Sequence, residues 1–180
     1  ENYCKICSKQ RIFQTDCSLF VRACYLFAIG LRQKEIEIMD LSIIVVSFNT
    51  KKLTRECLES VVKNTKSISY EFLVMDNISK DGSVEMLKGL ANKLPLTLIE
   101  NKDNIGFGPA NNQGMKIAKG RYLLLLNSDT HVHDNTLGEM VKWMDKNPKA
   151  GIASCALKNK DGSLQGTGGY FPNLFRVFCW

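Results

Sequence analysis

The sequence predicts an α/β fold with a mostly parallel sheet and helices on both of its faces. From Leu41 onward, short apolar runs alternate with segments whose apolar residues recur at helical spacing. The apolar runs are rich in β-branched residues or leucine, and most of them end in small polar residues. Strands separated by helical patterns are typical of βαβ units with parallel strands and right-handed crossovers.

Five strands are expected along the chain. The run of four leucines is short and continuous, which predicts a central strand buried on both faces. The last strand, "GIASCAL", leads to a hairpin turn at Asp161-Gly162. The expected strands span residues 41–48, 71–77, 96–100, 123–126 and 151–157.

Four helices are expected between and after these strands. Asn49 or Thr50 caps the first, the third is short and passes through Ile117 to end at Gly120, and Pro148 stops the fourth. The apolar positions expected to be buried are Leu53, Cys57, Leu58, Val61 and Val62 in the first, Val84, Leu87 and Leu90 in the second, and Leu137, Met140, Val141 and Met144 in the fourth.

The length and composition fit one globular domain, since the 180 residues are 44% hydrophobic and 23% charged. The formal net charge is +6 and the basic residues are scattered, so we expect no nucleic-acid partner. The most apolar stretch, 17–31, is interrupted by Arg22 and is shorter than the roughly 20 residues that span a bilayer. We expect a cytoplasmic protein, with peripheral association at the inner face of the membrane as an alternative.

The cysteines and histidines do not favour a zinc site. Four of the seven cysteines lie among the first 24 residues in the pattern C-x2-C-x9-C-x6-C, which lacks a clean second pair. We expect reduced cysteines, with Cys57 and Cys155 as small core residues. His131 and His133 have no further cysteine or histidine close by in the sequence, and we expect them to be solvated.

Polar residues follow each of the first four strands. They are Ser47-Phe48-Asn49, Asp76-Asn77, Glu100-Asn101 and Asn127-Ser128-Asp129-Thr130. Because the carboxyl ends of parallel strands lie at one edge of the sheet, where open α/β sheets bind ligands, we expect these groups to form one site. Asp76 there either forms an Asx turn or accepts hydrogen bonds from a base or ribose.

The loop "NIGFGPANNQG" (104–114) is a weak match to the dinucleotide fingerprint, because it follows the third strand and lacks the last glycine of that pattern. It suits a phosphate or sugar loop better. Gly106 and Gly108 permit close approach of the backbone, and Asn111 and Asn112 supply amides.

Asp129 is the expected metal ligand. Its carboxylate can hold a hard divalent cation, which neutralises a nucleoside diphosphate leaving group as the bond breaks. Asn127 lies two residues earlier and points to the same side of an extended chain. It can add an amide oxygen or a supporting hydrogen bond but no second charge, so we expect a lower metal affinity than paired aspartates give.

Three stretches, in their order, resemble family 2 glycosyltransferases of the GT-A fold, and most of all the bacterial rhamnosyltransferase-like members. They are "LSIIVVSFNT", "FLVMDNISKDGS" and "NKDNIGFGPANNQGMKIAKGRYLLLLNSDT", and the similarity covers residues 39 to about 170. The resemblance implies a Rossmann-like sheet and an inverting transferase that uses a nucleotide-diphosphate sugar with Mg2+ or Mn2+. It also implies a glycan or lipid-linked acceptor and a role in cell-wall or polysaccharide biosynthesis.

The resemblance assigns a role to each matching position. Residues 47–49 would line the nucleoside pocket, and Asp76 would meet the base or ribose. Residues 127–129 occupy the place of the family's D-x-D motif. The implied donor-binding residues are Ser47, Phe48, Asn49, Asp76, Asn104, Gly106, Asn112, Asn127 and Ser128, with Asp129 as the metal ligand.

The sequence departs from the family pattern in two places. Asn127 replaces the first aspartate of the D-x-D motif. None of the four later carboxylates, Asp134, Glu139, Asp145 and Asp161, fits the general base that deprotonates the acceptor. We therefore expect the donor-binding part of a GT-A domain truncated at its C-terminus, with no catalytic base and no sugar transfer by this chain alone.

Two other functions stay open. One is a nucleotide-sugar-binding fragment without turnover, and the other is an unrelated α/β nucleotidyltransferase. The second is disfavoured because no glycine-rich loop followed by arginine or lysine comes after the first strand.

Residues 1–38 are expected to be an extension outside the fold, because regular alternation starts only at Met39, and residues 39–180 to be the nucleotide-sugar-binding part. Deleting residues 1–38 should therefore leave folding and ligand binding intact. Circular dichroism and a nucleotide titration measure both. Loss of either would contradict the assignment.

Overall fold

A four-stranded parallel sheet organises the fold in a computed structural model, which describes residues 39–159 and 161–165. Its strands lie in the order β3-β2-β1-β4, which confirms the α/β class with a parallel sheet. The elements of the described residues are β1 (Leu41–Ser47), α1 (Lys51–Asn64), β2 (Tyr70–Asp76), α2 (Ser83–Ala91), β3 (Leu96–Glu100), α3 (Phe107–Ile117), β4 (Tyr122–Asn127) and α4 (Thr136–Lys146).

The helices cover both faces of the sheet, as predicted. Alternate residues of β1 point to opposite faces. Ile43 and Val45 pack in one apolar cluster with residues of α1, α2 and α4, such as Leu58. Ile44 packs on the other face against Ala110 of α3. The apolar run of β1 is therefore buried on both sides, which is typical of a central parallel strand.

Among the described residues, the leucine strand β4 does not have the predicted central position. Within the described residues it pairs with β1 alone, and it lies at the end of the sheet. Leu126 is buried in the cluster that contains α1 and α4, but Leu123 and Leu125 are 47% and 49% exposed. The prediction of burial on both faces is wrong because α3 lies over β1 and β2 and leaves that face of β4 uncovered.

The predicted fifth strand is absent from the described residues. Residues 151–157 have no regular structure, Ile152 is 93% exposed, and Cys155 is only half-buried, so Cys155 is not a core residue. The hairpin turn is confirmed. An antiparallel bridge joins Lys158 to Leu164, and Gly162 has a φ of +85° in the turn between them.

The buried faces of the helices differ in part from the predicted ones. In α1, Cys57, Leu58 and Val61 are buried as expected, but Leu53 and Val62 are 45% and 40% exposed. These two residues flank the apolar stripe and stay in solvent. Helix α3 is longer than expected, because it begins at residue 107 inside the predicted loop.

No helix of the described part of the chain is both long and apolar enough to cross a bilayer. The expected extension, residues 1–38 with its four cysteines, lies outside the described residues.

A buried polar cluster fixes the amino-terminal edge of the sheet. The Ser42 hydroxyl donates to the Glu71 carboxylate at 2.7 Å and accepts from the backbone N–H of Gly120 at 2.8 Å. The Lys119 N–H donates to the same Glu71 oxygen at 2.9 Å. The turn into β4 is thereby joined to β1 and β2 at the edge opposite the polar strand ends.

Gly120→Ala should destabilise the fold. A Cβ at this position would lie 2.4 Å from the Ser42 nitrogen and 2.6 Å from the Leu41 carbonyl carbon, both of them backbone atoms that cannot move aside. We expect the free energy of unfolding to fall by about 2 kcal/mol, as overpacking does elsewhere.

The control for this substitution is Gly89→Ala in α2, where no neighbouring atom lies within 4 Å of the added Cβ. That change should be neutral or should stabilise by up to about 1 kcal/mol, because alanine favours helix. Urea denaturation measures both variants. Equal midpoints would contradict the role of Gly120.

Candidate functional site

The carboxyl ends of the strands converge at one edge of the sheet, as predicted. Ser47 is in register with Asp76 at the ends of β1 and β2, and both side chains are 0% exposed. The Ser47 hydroxyl has no hydrogen-bond partner among the described residues. The next residue, Phe48, is 45% exposed. A buried polar floor and an exposed aromatic ring therefore lie side by side.

Asn49 joins the loop after β1 to the loop after β2. Its N–H donates to the Ser79 hydroxyl at 2.9 Å, and its side-chain oxygen accepts from the Lys80 N–H at 2.8 Å. A third bond runs from the Lys51 N–H to the Asp81 carboxylate at 2.8 Å. Asn49 has a φ of +54°, a conformation that asparagine tolerates better than most residues. Its side-chain oxygen is thus used within the protein.

Asp76 forms the turn that the sequence offered as one of its two interpretations. One carboxylate oxygen accepts from the Ser79 N–H at 2.8 Å, and the other accepts from the Ser79 hydroxyl at 2.6 Å. The carboxylate therefore shapes the loop that begins the candidate nucleoside pocket.

A shallow basic cavity of about 500 Å3 opens beside these two loops. Lys51, Lys52 and Arg55 line it, together with Asn49 and Asp81. The excess of positive charge makes this end of α1 favourable for an anion.

An amide network joins the ends of β2 and β3 to α3. Asn77 is 2% exposed and donates to Asn104 at 3.2 Å and to the carbonyl of Gly106 at 3.3 Å. Asn101 donates to the Asn77 oxygen at 2.9 Å and exchanges two hydrogen bonds of 3.0 Å with Gln113. The sequence placed Asn77 and Asn101 at strand ends, but it gave no signal for the pairing with Gln113.

The structure brings two of the three predicted loop residues into this network. The N–H of Gly106 donates to the Asn104 side chain at 3.0 Å, and helix α3 begins at the next residue. Asn112 lies on α3 with an exposed side chain and is outside the network. Its neighbour Asn111 is buried and donates back to the Phe107 carbonyl.

Residues 127–130 form a tight turn after β4, in which the Thr130 N–H donates to the Asn127 carbonyl at 3.1 Å. The side chains of Asn127 and Asp129 are exposed, and Ser128 is half-buried. The carboxylate of Asp129 therefore reaches solvent at the carboxyl edge. No lysine or arginine of the described chain lies in ion-pair range of it.

One face of α1 holds this turn in place. Cys57 donates from its sulfur to the Asn127 carbonyl at 3.5 Å. Ser60 accepts from the Val132 N–H at 2.9 Å, and Asn64 donates to the Val132 carbonyl at 2.7 Å. The three α1 residues are spaced three and four apart, so they share a face. Sequence reasoning missed Ser60 and Asn64, and their only signal was polarity beside an apolar stripe.

The donor set at Asp129 suits a hard cation that a ligand completes. The described residues contain no group of three acidic, histidine or cysteine side chains that could hold a metal by themselves. Mg2+ and similar ions are commonly held by one or two carboxylates plus substrate phosphates. His131 and His133 are both exposed, with ring centroids 4.7 Å apart.

The chain matches the family described as Glycosyl transferase family 2 over residues 42–178. It therefore belongs to this family, as its sequence motifs implied. The parallel sheet with helices on both faces is that of the GT-A fold, of which the described residues form the N-terminal part.

A curated relative in this family is the poly(ribitol-phosphate) beta-glucosyltransferase of Bacillus spizizenii, which is 32% identical over 129 residues. The match covers 69% of this chain but only 20% of that protein.

The solved structure of Staphylococcus aureus TarS 1–349 in complex with UDP-GlcNAc is also similar. It has a TM-score of 0.56 and 29% identity and covers 60% of this chain and 32% of TarS 1–349. The mannosyltransferase PcManGT of Pyrobaculum calidifontis, in complex with GDP-Man and Mn2+, shares the fold with a TM-score of 0.54 and 22% identity, over 71% of this chain and 39% of its own.

Cys57 should resist alkylation in the folded protein. Burial, and to a smaller extent the charge of Asp129, raise the pKa of the Cys57 thiol to about 12. At pH 8 the sulfur therefore keeps its proton, which is the form that donates to Asn127, and the reactive thiolate is scarce.

Iodoacetamide labelling at pH 8 with site-resolved mass spectrometry measures this. We expect Cys57 to react only in urea, while the half-buried Cys155 reacts in the native protein. Equal native rates at the two cysteines would contradict the assigned environment of Cys57.

Proposed function

We propose that the chain is the donor-binding part of an inverting glycosyltransferase, which transfers a sugar from a nucleotide-diphosphate sugar to a glycan or lipid-linked acceptor. The observation that carries the proposal is the exposed Asp129 carboxylate in a turn held at the carboxyl edge of the sheet. The family membership and the likeness to TarS, whose structure contains UDP-GlcNAc, support it.

The nucleoside would bind over the ends of β1 and β2. The exposed ring of Phe48 offers a surface for stacking a base, which is worth about 1–3 kcal/mol in other nucleotide sites. The Ser47 hydroxyl has a hydrogen bond left to make, and Asn49 and Asp76 fix the backbone around it. Asp76 would serve the base or ribose by shaping the loop around it, because its carboxylate is buried and accepts two bonds from Ser79.

The diphosphate and sugar would lie between the Asn104–Gly106 loop and the turn at Asp129. Gly106 has no side chain to keep the ligand from its backbone, and Asn112 on α3 offers an exposed amide. Asp129 would hold Mg2+ or Mn2+ together with the diphosphate, with Asn127 and Ser128 as neutral neighbours. The cation would neutralise the diphosphate leaving group.

The inverting reaction needs a base that removes the proton of the acceptor hydroxyl while its oxygen attacks the anomeric carbon. Two of the four carboxylates after Asp129 already have partners. Asp145 accepts bonds from Arg121 and Tyr122 at the amino-terminal ends of the strands, and Glu139 pairs with Lys142 on α4. The described residues would therefore bind and orient the donor, and none of them is proposed as the base.

The sugar and the acceptor are suggested by the sequence resemblance and by the names of the relatives. Rhamnose is the sugar that the sequence resemblance suggests, whereas the relatives above are named for glucose, N-acetylglucosamine and mannose. The full name of TarS is poly(ribitol-phosphate) beta-N-acetylglucosaminyltransferase, so two of these relatives are named for poly(ribitol-phosphate), which supports an acceptor in cell-wall biosynthesis. We further propose that the chain is cytoplasmic and meets this acceptor at the inner face of the membrane. Residues 1–38 would be an extension outside the fold.

A binding module without turnover is the second candidate. The pairing of two α4 carboxylates, Asp145 with Arg121 and Glu139 with Lys142, favours it. The two candidates share the donor site and differ in the transfer assay. Sugar transfer by this chain would contradict the second candidate.

Asp129→Ala should abolish metal-dependent nucleotide binding. Titration calorimetry with dTDP, UDP and GDP, each with and without Mn2+, measures it. We expect tighter binding with Mn2+ in the wild type and a loss of about 100-fold or more in the variant, because even partners outside the ligand shell cost about 10–100-fold.

Glu59→Ala is the matched control, because Glu59 is an exposed carboxylate on the outer side of α1. It should leave all affinities unchanged. If the wild type binds none of the nucleotides, the donor-site proposal fails. If Asp129→Ala binds as well as the wild type with Mn2+, the metal assignment fails.

A further inference from the structure

The side-chain amide of Asn77 is buried and makes three hydrogen bonds, all of them to a single loop and its support. Its nitrogen donates to the Asn104 oxygen at 3.2 Å and to the Gly106 carbonyl at 3.3 Å, and its oxygen accepts from Asn101 at 2.9 Å. At 2% exposure it has little surface left for a ligand. Its contacts point to an action through the loop.

Gly106 has a backbone conformation that needs such support. Its φ of +84° with a ψ of 171° is accessible almost only to glycine, so nothing in its own side chain stabilises it. Its N–H donates to Asn104 at 3.0 Å, and its carbonyl accepts from Asn77 and from the Ala110 N–H at the start of α3. Both polar groups of Gly106 are thus fixed by neighbours.

A second pair keeps Asn77 itself in place. Asn101 and Gln113 exchange two hydrogen bonds of 3.0 Å, which link the end of β3 to the second turn of α3. Asn101 then donates its other hydrogen to Asn77. The loop is consequently attached to β2 directly and to β3 and α3 through these amides, so its shape is set before any ligand arrives.

We propose that Asn77 is a positioning residue for the donor diphosphate, which it serves by holding Asn104 and Gly106 in the shape that receives this group. The inference rests on the proposed function. An amide is required, because an aspartate of the same size would lose both donated bonds and would face two oxygen acceptors. A smaller neutral residue would release the loop without adding charge.

The experiment uses the full 180-residue chain with Mn2+ and compares a diphosphate with its nucleoside. Three pairs, dTDP with thymidine, UDP with uridine and GDP with guanosine, are titrated by calorimetry and NMR, and the pair that the wild type binds is used for the variants. Asn77→Ser should weaken the diphosphate about tenfold, the worth of two hydrogen bonds, and change nucleoside affinity by less than about twofold. A role in general stability would weaken both equally.

Ser42→Ala is the matched control for stability. It removes a buried hydroxyl that makes hydrogen bonds to Glu71 and Gly120 at the opposite edge of the sheet. It should lower the urea midpoint and leave both affinities unchanged.

A double-mutant cycle tests whether Asn77 acts through the loop. In an Asn104→Ala background, Asn77→Ser should cost clearly less than it does in the wild type, because one of its partners is already lost. Full additivity would overturn the proposal. If Asn77→Ser does not fold, Gln113→Ala takes its place, since it removes only the pair with Asn101 and should weaken the diphosphate about two- to threefold.

The possible failures are distinguishable. A wild type that binds no nucleotide overturns the proposed function, and the positioning role with it. A wild type that binds the diphosphate, together with a variant that binds it equally well, overturns the positioning role alone. So does an equal loss for the nucleoside, or an equal loss in Ser42→Ala.

Discussion

The burial of β1 on both faces is the constraint on which the rest of the structure depends. Ile43, Ile44 and Val45 are 0% exposed between β2 and β4 and under helices on both sides. A polar side chain in such a position costs free energy unless it is hydrogen-bonded. Polar residues can therefore enter the strand only near its ends, and the first after the apolar run is Ser47. The position of the candidate site is thus a consequence of how the core is built.

The two sides of the candidate site are held in place by different means. On the β4 side, α1 packs its apolar stripe on the sheet and uses Cys57, Ser60 and Asn64 to hold the turn that carries Asp129. On the β3 side, amides hold the loop without any charged group. Both devices bond to backbone groups, so loops that carry no regular structure are still attached to regular elements.

Most of the fold could be predicted from the sequence because its signals are local. The alternation of β-branched runs with helical spacing located the four described strands, and the polar residue after each of them located the edge. A local sequence pattern does not indicate which strands are neighbours in the sheet. The leucines of β4 suit a central strand equally well, and only the placement of α3 over β1 and β2 exposes Leu123 and Leu125.

The candidate site was predictable as a set of strand ends but not as a network. Asp76 was expected either to form an Asx turn or to meet a ligand, and it forms the turn. Asn49 was expected to line the nucleoside pocket, and its hydrogen bonds link the two loops there. The pairing of Asn101 with Gln113 joins a strand end to a helix over 12 positions of sequence. No periodicity in the sequence indicates this pairing. Residues 151–157 have an apolar composition that suits a strand, yet they pair with none of the described strands.

The distribution of charge explains why the network is made of amides. A nucleoside diphosphate is an anion, and a buried carboxylate beside it would be repelled while losing its hydration. Asn77, Asn101 and Asn104 give the loop its shape with no charge at all. The buried carboxylate at this edge, Asp76, has both oxygens bonded to Ser79. Asp129, the proposed metal ligand, is exposed to water, and α1 presents a neutral thiol to its turn. Neutral amides around the loop and an exposed carboxylate in the turn after β4 would therefore suit the proposed site, which takes both an anion and its metal.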